Sequence, residues 1–298
     1  MKILQLFDFF SIPHGGGSVA VLYQLSRTLA QRGHDTTIYT SDFELDQDYI
    51  DSLQGVKVYP LHSWLNILRM PLVPSLFTKV RRTLKEFDIV HLHQYRSFQN
   101  IIIWHYAKKY GIPYIISAHG SAARMAFGER GIKWLLKWIF DNVLGKKILR
   151  DASRLFAGTS LEAEHYKEIG TDVAKIIQIP NCIDINEFEQ LPEKGTFRKK
   201  YGITEENVIL FLGRLHKIKG IDILAKPVAK LIKEGRSIRL MMVGPDDGYL
   251  PAFKKQLSEL KIEDKVTICG FTPKEDKLAA YVDADIYVLP SIFDAGPT

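Results

Sequence analysis

Short apolar runs alternate with segments of helical period in two successive series, and this alternation limits the fold of the 298-residue chain more than any other sequence feature. The runs are nearly continuous in Ile, Leu and Val, which is typical of parallel strands covered by helices on both faces. The pattern therefore predicts an α/β fold. The predicted strands are Lys2–Phe7, Asp35–Thr40, Val56–Tyr59, Ile89–Leu92, Tyr114–Ser117 and Leu155–Ala157, then Val208–Leu212, Ile238–Val243, Val266–Cys269 and Ile286–Leu289.

The two series also predict two domains. Pro, Asn, Glu and Lys are frequent over Pro180–Gly202, which is typical of a hinge. We predict an N-terminal Rossmann-like domain over 1–180, a linker over 181–205 and a C-terminal Rossmann-like domain over 206–298, with the two domains facing each other across a cleft. The predicted helices are Val19–Gln31, Ser75–Lys85, Phe98–Lys109, Gly220–Lys233, Pro251–Leu260 and Lys274–Tyr281.

The sequence favours a cytoplasmic chain. Cys182 and Cys269 form neither a disulfide framework nor a CxxC pair, which is typical of a reducing compartment. No apolar run approaches the roughly 18 residues of a membrane-spanning helix. A buried first strand explains the start of the chain better than a signal peptide.

Basic residues are concentrated in one segment. Residues 62–154 hold 16 basic and 5 acidic side chains, a surplus of 11, whereas the whole chain carries +6. Such a segment favours a polyanion, for example the phosphate groups of a membrane surface or of nucleic acid. No nucleic-acid-binding module is found, so nucleic acid is not an expected partner. A solvated face that keeps the protein soluble is the alternative.

Within this segment, Ile132–Val143 has the pattern of an amphipathic helix. At helical spacing, Lys133, Lys137 and Asp141 share one face, whereas Trp134 and Trp138 lie on the other. Trp and Lys together suit a helix that lies flat in a bilayer interface. We therefore predict that Lys133, Trp134, Lys137 and Trp138 contact an anionic membrane. Packing of the apolar face into the core is the alternative.

Three loops after predicted strands carry candidate site residues. Gly15, Gly16 and Gly17 open a helix, where glycine permits close backbone approach and the helix N-terminus favours an anion. Their spacing matches neither a dinucleotide-binding fingerprint nor a Walker A loop, and a plain turn is the alternative. His119 ends another strand and can hydrogen-bond a sugar or a phosphate. His91 alternates with His93 on one strand; no third metal ligand can be placed, so both are structural or line the cleft.

The third loop runs from Gly213 to Gly220, after the first strand of the second series. Gly213 frees the turn, and Arg214 and Lys219 flank it. An Arg fork and an ammonium group can stabilise a diphosphate leaving group, because its negative charge grows as the bond breaks. The loop therefore predicts a diphosphate site, and two surface cations without a binding role are the alternative.

Taken together, these features resemble the retaining GT-B glycosyltransferases, in particular family 4, over essentially the whole chain. Each motif is short, and their order along the chain is what makes the resemblance specific. The motifs are Gly16-Gly17 with Arg32-Gly33-His34, Gly111-Ile112-Pro113 with His119-Gly120, Ile179-Pro180-Asn181-Cys182-Ile183-Asp184, Gly213-Arg214 with Lys219-Gly220, Val243-Gly244-Pro245, Gly270-Phe271 and Asp283-Ala284-Asp285 with Pro290-Ser291.

The resemblance implies roles for individual residues. Arg214 and Lys219 would hold the nucleotide diphosphate, and His119 would contact the donor sugar or its phosphate. Asp294 stands where the family has the first Glu of a Glu-x7-Glu donor motif, and would reach the hydroxyls of the donor sugar. The base would be framed by Gly244, Pro245, Gly270 and Phe271, and the acceptor and diphosphate side by Gly16 and Gly17.

The family pattern also differs from this chain at one end. The second acid of the donor motif would fall at position 302, beyond Thr298. The resemblance therefore leads us to expect a C-terminally truncated chain with an incomplete second domain, inactive if it is a fragment. A natural short form is the alternative.

The implied function is retaining, metal-independent and cofactor-free transfer of a hexosyl group from a UDP-, GDP- or ADP-sugar. The acceptor would be a hydroxyl of a lipid-linked sugar or a polysaccharide, in cell-envelope polysaccharide synthesis at the inner face of the cytoplasmic membrane. A sugar-nucleotide epimerase of the same fold is one alternative. A non-catalytic sugar-nucleotide-binding form is the other, if the natural chain ends at Thr298.

Overall fold

The chain forms two compact α/β units that divide between Ile183 and Asp184. The computed structural model describes residues 1–11, 16–67, 70–123, 131–292 and 294, without the side chains of Ile67, Lys133 and Lys274.

The first unit is built on a seven-stranded sheet in which every pair of neighbouring strands is parallel. The strands are β1 Lys2–Leu6, β2 Asp35–Ser41, β3 Val56–Leu61, β4 Leu65–Ile67, β5 Met70–Leu72, β6 Ile89–His93, β7 Tyr114–Ser117, β8 Arg154–Ala157 and β9 Ile176–Gln178. Their spatial order in the sheet is β3-β2-β1-β6-β7-β8-β9. The two short strands β4 and β5 form a separate antiparallel hairpin.

Helices cover both faces of this sheet, as the apolar runs predict. One cluster of fully buried side chains includes Leu4 and Ile116 with Val80 of a covering helix, and another includes Ile38 with Leu22. The helices are α1 Gly17–Gln31, α2 Gln47–Asp51, α3 Ser75–Thr83, α4 Phe98–Tyr110, α5 Ile132–Phe140, α6 Lys146–Asp151 and α7 Ser160–Ile169; a π-helical turn, Asp141–Gly145, joins α5 to α6.

Local signals set the ends of these helices. The Ser97 hydroxyl accepts a hydrogen bond from Gln99 N at the start of α4, and Gly111 ends the helix in the left-handed conformation, with φ 70°. Side-chain caps and C-terminal glycines of this kind satisfy backbone groups that the helix itself leaves unpaired.

The second unit contains, over its described residues, a four-stranded parallel sheet and four α-helices. The elements are α8 Thr196–Lys200, β10 Asn207–Leu212, α9 Ile221–Lys233, β11 Ile238–Val243, α10 Leu250–Leu260, β12 Val266–Gly270, α11 Lys274–Asp283 and β13 Ile286–Tyr287. The strand order is β12-β11-β10-β13. The two faces of the sheet are again covered, one by a cluster around Phe211 and Phe253 and the other by a cluster around Phe197 and Leu210.

The strands and helices predicted from periodicity are confirmed to within a few residues at each end. The predicted elements did not include the hairpin of β4 and β5, the edge strand β9, or helices α2, α6, α7 and α8. Apart from α7, which has ten residues, these segments are too short to show a period.

The predicted linker over 181–205 differs from the structure, which assigns residues 184–294 to the second unit. Phe197 is fully buried in that unit's core. The buried carboxylate of Asp283 accepts hydrogen bonds from Phe197 N at 2.6 Å and Arg198 N at 2.9 Å, and also from Gly195 N. The polar composition of the segment hid this anchoring, because a single aromatic residue produces no periodic signal.

Replacement of Asp283 by Ala should destabilise the second unit by about 2 kcal/mol, because three backbone N–H groups at the start of α8 lose a buried acceptor. Urea unfolding followed by circular dichroism measures this change. Asp264→Ala is a matched control, since that carboxylate is exposed, and should change stability by less than about 0.5 kcal/mol. Equal stability of the two variants would contradict the anchoring role of Asp283.

Candidate functional site

The loops that follow β10, β11 and β13 meet at one edge of the second sheet. Leu215 N donates to Pro245 O at 2.8 Å, which joins the first two loops. Ile292 N donates to Ile218 O at 2.9 Å, which joins the third loop to the first. Because the strands are parallel, their carboxyl ends share this edge, where ligands of open α/β sheets bind.

Two glycines permit this close packing of loops. At Gly244, where φ is +137°, a Cβ atom would lie 2.0 Å from Gly213 O. At Gly220, where φ is +67°, a Cβ atom would lie 2.0 Å from Pro290 O. No other residue fits either position without moving the backbone.

The two cations predicted to bind a diphosphate are each paired with a carboxylate. Arg214 Nη1 lies 2.5 Å from Asp247 Oδ2, and Lys219 Nζ lies 2.5 Å from Asp294 Oδ2. The Lys219 pair is the more buried, with side-chain exposures of 16% and 22%. An anion that binds these cations must therefore compete with two carboxylates.

The family resemblance implied a role with sugar hydroxyls for Asp294 and no role for Asp247. The structure brings Asp294 to Lys219 and also places Ser291 Oγ 3.3 Å from its Oδ2. In the sequence, Asp247 is one of two adjacent acidic residues in the loop after β11, and nothing marks it as a partner of Arg214. Its pairing with Arg214, 33 positions away, follows from the order of β10 and β11.

Phe271 presents an exposed ring directly after β12, with 49% of its surface accessible. Lys277 Nζ lies 5.5 Å from the ring centroid, and burial lowers the pKa of Lys277, opposed by Glu187. Gly270, with φ +68°, shapes the turn and accepts a hydrogen bond from Gly244 N at 2.8 Å. An exposed ring beside such a turn can stack against a planar group.

In the first unit, the carboxyl ends of β6 and β7 bring three histidines together. His93 Nδ1 lies 2.9 Å from His119 Nε2, and His93 Nε2 lies 2.7 Å from Gln5 Oε1. His91 Nε2 lies 2.8 Å from Ser117 Oγ. Within the described ranges, no group of three or more His, Cys, Asp or Glu side chains is arranged to hold a metal ion.

These histidines are neutral at pH 7. Burial lowers the pKa of His91 to about 3 and that of His119 to about 4, and it holds the pKa of His93 well below its ordinary value. The neighbouring imidazoles add to the effect at His91 and His93. His119 can therefore form hydrogen bonds with a ligand but supplies no positive charge.

Glu162, which the sequence analysis missed, holds the turn at His119. Its buried carboxylate accepts hydrogen bonds from Gly120 N at 2.8 Å and Gly158 N at 2.7 Å. Burial raises the pKa of Glu162, opposed by these two bonds. His119 itself has φ +49°, a rare backbone conformation for a residue other than glycine. A capping-box pattern at Thr159 was the available signal, but it does not reveal the reach to Gly120.

The glycine loop is described from Gly16 onward, and Gly15 lies outside the described residues. Gly16, with φ +55°, precedes α1 and accepts hydrogen bonds from Val19 N and Ala20 N. No described side chain caps this helix. The terminus has the polarity expected of an anion site.

Asp8 lies just after β1 and, like Glu162, had no predicted role. The carboxyl group is buried, and Ser97 Oγ donates to its Oδ1 at 2.7 Å. Burial raises the pKa of Asp8 to about 7, which the Ser97 bond opposes. The group is therefore partly protonated at neutral pH.

The amphipathic segment forms α5 and the start of the π-helical turn, and its apolar side chains other than Phe140 are exposed. Trp134 and Trp138 have 41% and 50% of their surface accessible, so packing into the core is wrong for this face. Lys137 is half-buried, and the side chain of Lys133 lies outside the described residues. No helix in the described part of the chain combines the length and apolar character needed to cross a bilayer.

A buried ion pair anchors the end of α5. Asp141, expected on the polar face, is buried and accepts hydrogen bonds from Arg96 Nε at 2.9 Å and Nη2 at 2.6 Å. Arg96 also donates to the carbonyls of Ser121 and Ala123, in the loop that begins at His119. The exposed helix and the His119 loop therefore share one anchor.

Both halves of the chain match known families. The family model of Glycosyltransferase Family 4 matches residues 15–187, and that of Glycosyl transferases group 1 matches residues 193–298.

Two curated relatives align with most of the chain. A D-inositol 3-phosphate glycosyltransferase of Kineococcus radiotolerans is 26% identical over 302 residues, which cover 93% of this chain and 68% of the relative. The GPI3 subunit of a Saccharomyces cerevisiae phosphatidylinositol N-acetylglucosaminyltransferase is 26% identical over 302 residues, which cover 99% of this chain and 64% of the relative. The chain thus spans about two thirds of the length of these proteins.

A solved structure, that of Anabaena HepE in complex with UDP-glucose, has the same fold. It superposes with a TM-score of 0.77 at 19% identity, covering 98% of this chain and 74% of that chain. The Family 4 model matches more than half of the chain, the group 1 model matches the region that follows, and the fold is a two-domain α/β fold of GT-B type; the chain therefore belongs to Glycosyltransferase Family 4.

Proposed function

We propose that the protein transfers a hexosyl group from a nucleotide-sugar to a hydroxyl of a lipid-linked acceptor, with retention of anomeric configuration and without a metal ion. The observation that carries the proposal is the edge of the second sheet, where Arg214 and Lys219 lie in glycine-dependent loops. Membership of the family supports glycosyl transfer, and the UDP-glucose bound to HepE supports a nucleotide-sugar donor.

Donor binding is proposed to exchange ion-pair partners. The diphosphate oxygens would replace Asp247 at Arg214 and Asp294 at Lys219, since phosphate carries more charge and more acceptor atoms than one carboxylate. Asp294, once released from Lys219, can accept hydrogen bonds from the hydroxyls of the donor sugar. Two roles of Asp294, with the cation and with the sugar, would thus belong to successive steps.

In the proposed reaction, the acceptor oxygen attacks the anomeric carbon on the face from which the leaving group departs. The bond between that carbon and the phosphate oxygen breaks, and its electron pair goes to the diphosphate. The proton of the acceptor hydroxyl goes to an oxygen of the leaving diphosphate. Arg214 and Lys219 would stabilise the growing charge, and no protein nucleophile is required.

The remaining site residues would bind other parts of the substrates. Phe271 and Gly270, with Gly244 and Pro245, are proposed to frame the nucleotide base. His119 is proposed to contact the donor sugar or its phosphate as a neutral ring. Gly15, Gly16 and Gly17, at the start of α1, are proposed to bind the phosphate of an acceptor.

We propose that the group linked to the lipid in the acceptor is an inositol phosphate or another phosphorylated group. Both relatives described above are named for inositol-containing acceptors. A negatively charged acceptor also suits the surplus of 11 basic side chains over residues 62–154. Transfer to phosphatidylinositol vesicles, to inositol 3-phosphate and to a soluble polysaccharide distinguishes the acceptor classes.

We further propose that α5 docks on the anionic inner face of the cytoplasmic membrane. Its exposed Trp134 and Trp138 would enter the interface, and the lysines would meet lipid phosphates. A reducing compartment is consistent with the two free cysteines, Cys182 and Cys269.

Replacement of Arg214 by Ala should lower the rate of transfer by about 100-fold or more, because the leaving diphosphate loses an electrostatic donor. Initial rates with UDP-, GDP- and ADP-hexoses measure this effect. Lys233→Ala, which removes an exposed cation at the end of α9, is the matched control and should retain the wild-type rate. Near-normal turnover of the Arg214 variant would rule out the assignment.

Addition of EDTA should leave the transfer rate within about twofold of its starting value, because Arg214 and Lys219 supply the positive charge that a metal ion would otherwise provide. The rate is measured before and after dialysis against the chelator. A loss of activity that Mg²⁺ or Mn²⁺ restores would contradict metal-independent transfer.

The double variant Trp134→Ala/Trp138→Ala should bind vesicles of phosphatidylglycerol about tenfold or more weakly than the wild type, because two exposed interfacial rings are lost. Sedimentation with vesicles measures binding, which should also weaken as salt is added. Ile223→Ala, an exposed apolar position of the second unit, is the control. Absence of wild-type binding at low salt would refute membrane docking.

A further inference from the structure

A row of three hydrogen-bonded side chains crosses the carboxyl ends of β1, β6 and β7. Gln5 Oε1 lies 2.7 Å from His93 Nε2, and His93 Nδ1 lies 2.9 Å from His119 Nε2. Gln5 and His93 are buried, whereas His119 is half-buried at the end of the row. The row therefore connects a fixed amide in the interior to a ring at the surface of the site.

The two imidazole rings meet edge to edge. Their planes differ by only 4°, while their centroids are 5.2 Å apart and the facing nitrogens of His93 and His119 are 2.9 Å apart. The two facing nitrogens lie between the centroids of rings that share a plane. The lone pair of one nitrogen and the N–H bond of the other lie in that plane, so they point at each other. The contact is therefore a well-aligned N–H···N hydrogen bond.

The proton positions on His93 and His119 follow in turn from the oxygen of Gln5. Gln5 Oε1 can only accept, so the proton of neutral His93 is on Nε2. His93 Nδ1 then accepts, so the proton of neutral His119 is on Nε2. His119 Nδ1 is left with a lone pair, and no described residue donates a hydrogen bond to it.

We propose that Gln5 and His93 are positioning residues that hold His119 in its Nε2–H form, so that His119 Nδ1 accepts a hydrogen bond from a hydroxyl group of the substrate. The assignment of that hydroxyl to a substrate rests on the proposed glycosyl transfer. Gln5 acts only through His93 and touches no substrate.

This arrangement distinguishes a hydroxyl from a phosphate. An ionised phosphate oxygen has only lone pairs, so it would face the lone pair of His119 Nδ1 and be repelled. A sugar hydroxyl donates its proton to the same atom. The burial that lowers the pKa of His119 to about 4 also removes the positive charge that would attract a phosphate at pH 7.

Burial of Gln5 fits this role better than a role in packing. The Nε2 group of Gln5 has no hydrogen-bond partner among the described residues, so an apolar side chain would fill the position at a lower cost. The reversed amide would turn every bond of the row around and place the His119 proton on Nδ1. The orientation of the Gln5 amide therefore decides whether His119 Nδ1 presents a lone pair or an N–H group to a ligand.

Two-bond ¹H–¹⁵N spectra of the histidine rings test the proposal directly, because they report which nitrogen carries the proton. In the wild-type protein we expect Nε2–H forms of both His93 and His119, with the His119 signals assigned from their loss in His119→Asn. A proton on His119 Nδ1 in the wild type would overturn the proposal, and this measurement needs no other variant.

Gln5→Met removes the acceptor while keeping a side chain of similar length. We expect a population of the Nδ1–H form to appear at His119. Gln99→Met is the matched control: Gln99 is equally buried, and neither polar atom of its side chain hydrogen-bonds to a described residue, so the ring spectra should not change. Wild-type ring spectra in a folded Gln5→Met would also overturn the proposal.

A binding experiment then tests the ligand. In Gln5→Met we expect kcat/KM for transfer from the nucleotide-sugar to fall about tenfold or more, while the Kd for the free nucleoside diphosphate stays within twofold. A matching loss of nucleoside diphosphate affinity would assign His119 to the phosphate and overturn the hydroxyl assignment. Absence of transfer from every nucleotide-sugar would refute the proposed function instead, and the ring spectra would still decide the proton positions.

Discussion

Parallel pairing of strands buried on both faces determines where the chemistry of this chain can lie. Each crossover helix returns the chain to the same end of the sheet, so all carboxyl ends share one edge. In the second unit this edge holds the loops with Arg214 and Lys219, and in the first it holds His93 and His119. Residues distant in sequence become neighbours for this reason. The glycines at 220 and 244 allow the loops at this edge of the second sheet to pack closely against each other.

The two units offer different kinds of interaction. The second unit pairs each cation with a carboxylate, so its charges are compensated and can change partners. The first unit offers neutral groups, because burial keeps the pKa values of its histidines low. An exchangeable cation suits a diphosphate, and a neutral imidazole suits a hydroxyl.

The exposed helix α5 is anchored at its C-terminal end. Most of its apolar side chains face outward, but Phe140 packs against the core, and the neighbouring ion pair of Arg96 with Asp141 is almost fully buried. Arg96 also donates to carbonyls of the loop that begins at His119, so one buried side chain contacts both the end of α5 and that loop. The proposed membrane contact and the proposed ligand contact thus share a supporting residue within the first unit.

Sequence periodicity alone determined the two α/β series, because covered parallel strands require continuous apolar runs. It also located Arg214, Lys219 and His119 at strand ends. The prediction of a linker around Phe197 was wrong, because the single buried ring of this polar segment gives no periodic signal. The structure places the segment in the second unit. Only the tertiary structure identified the partners Asp247, Glu162 and Gln5, which lie 33, 42 and 88 positions from the groups they bind. The reason is physical: a hydrogen bond between strands depends on the order of strands in the sheet, and that order leaves no periodic trace in the sequence.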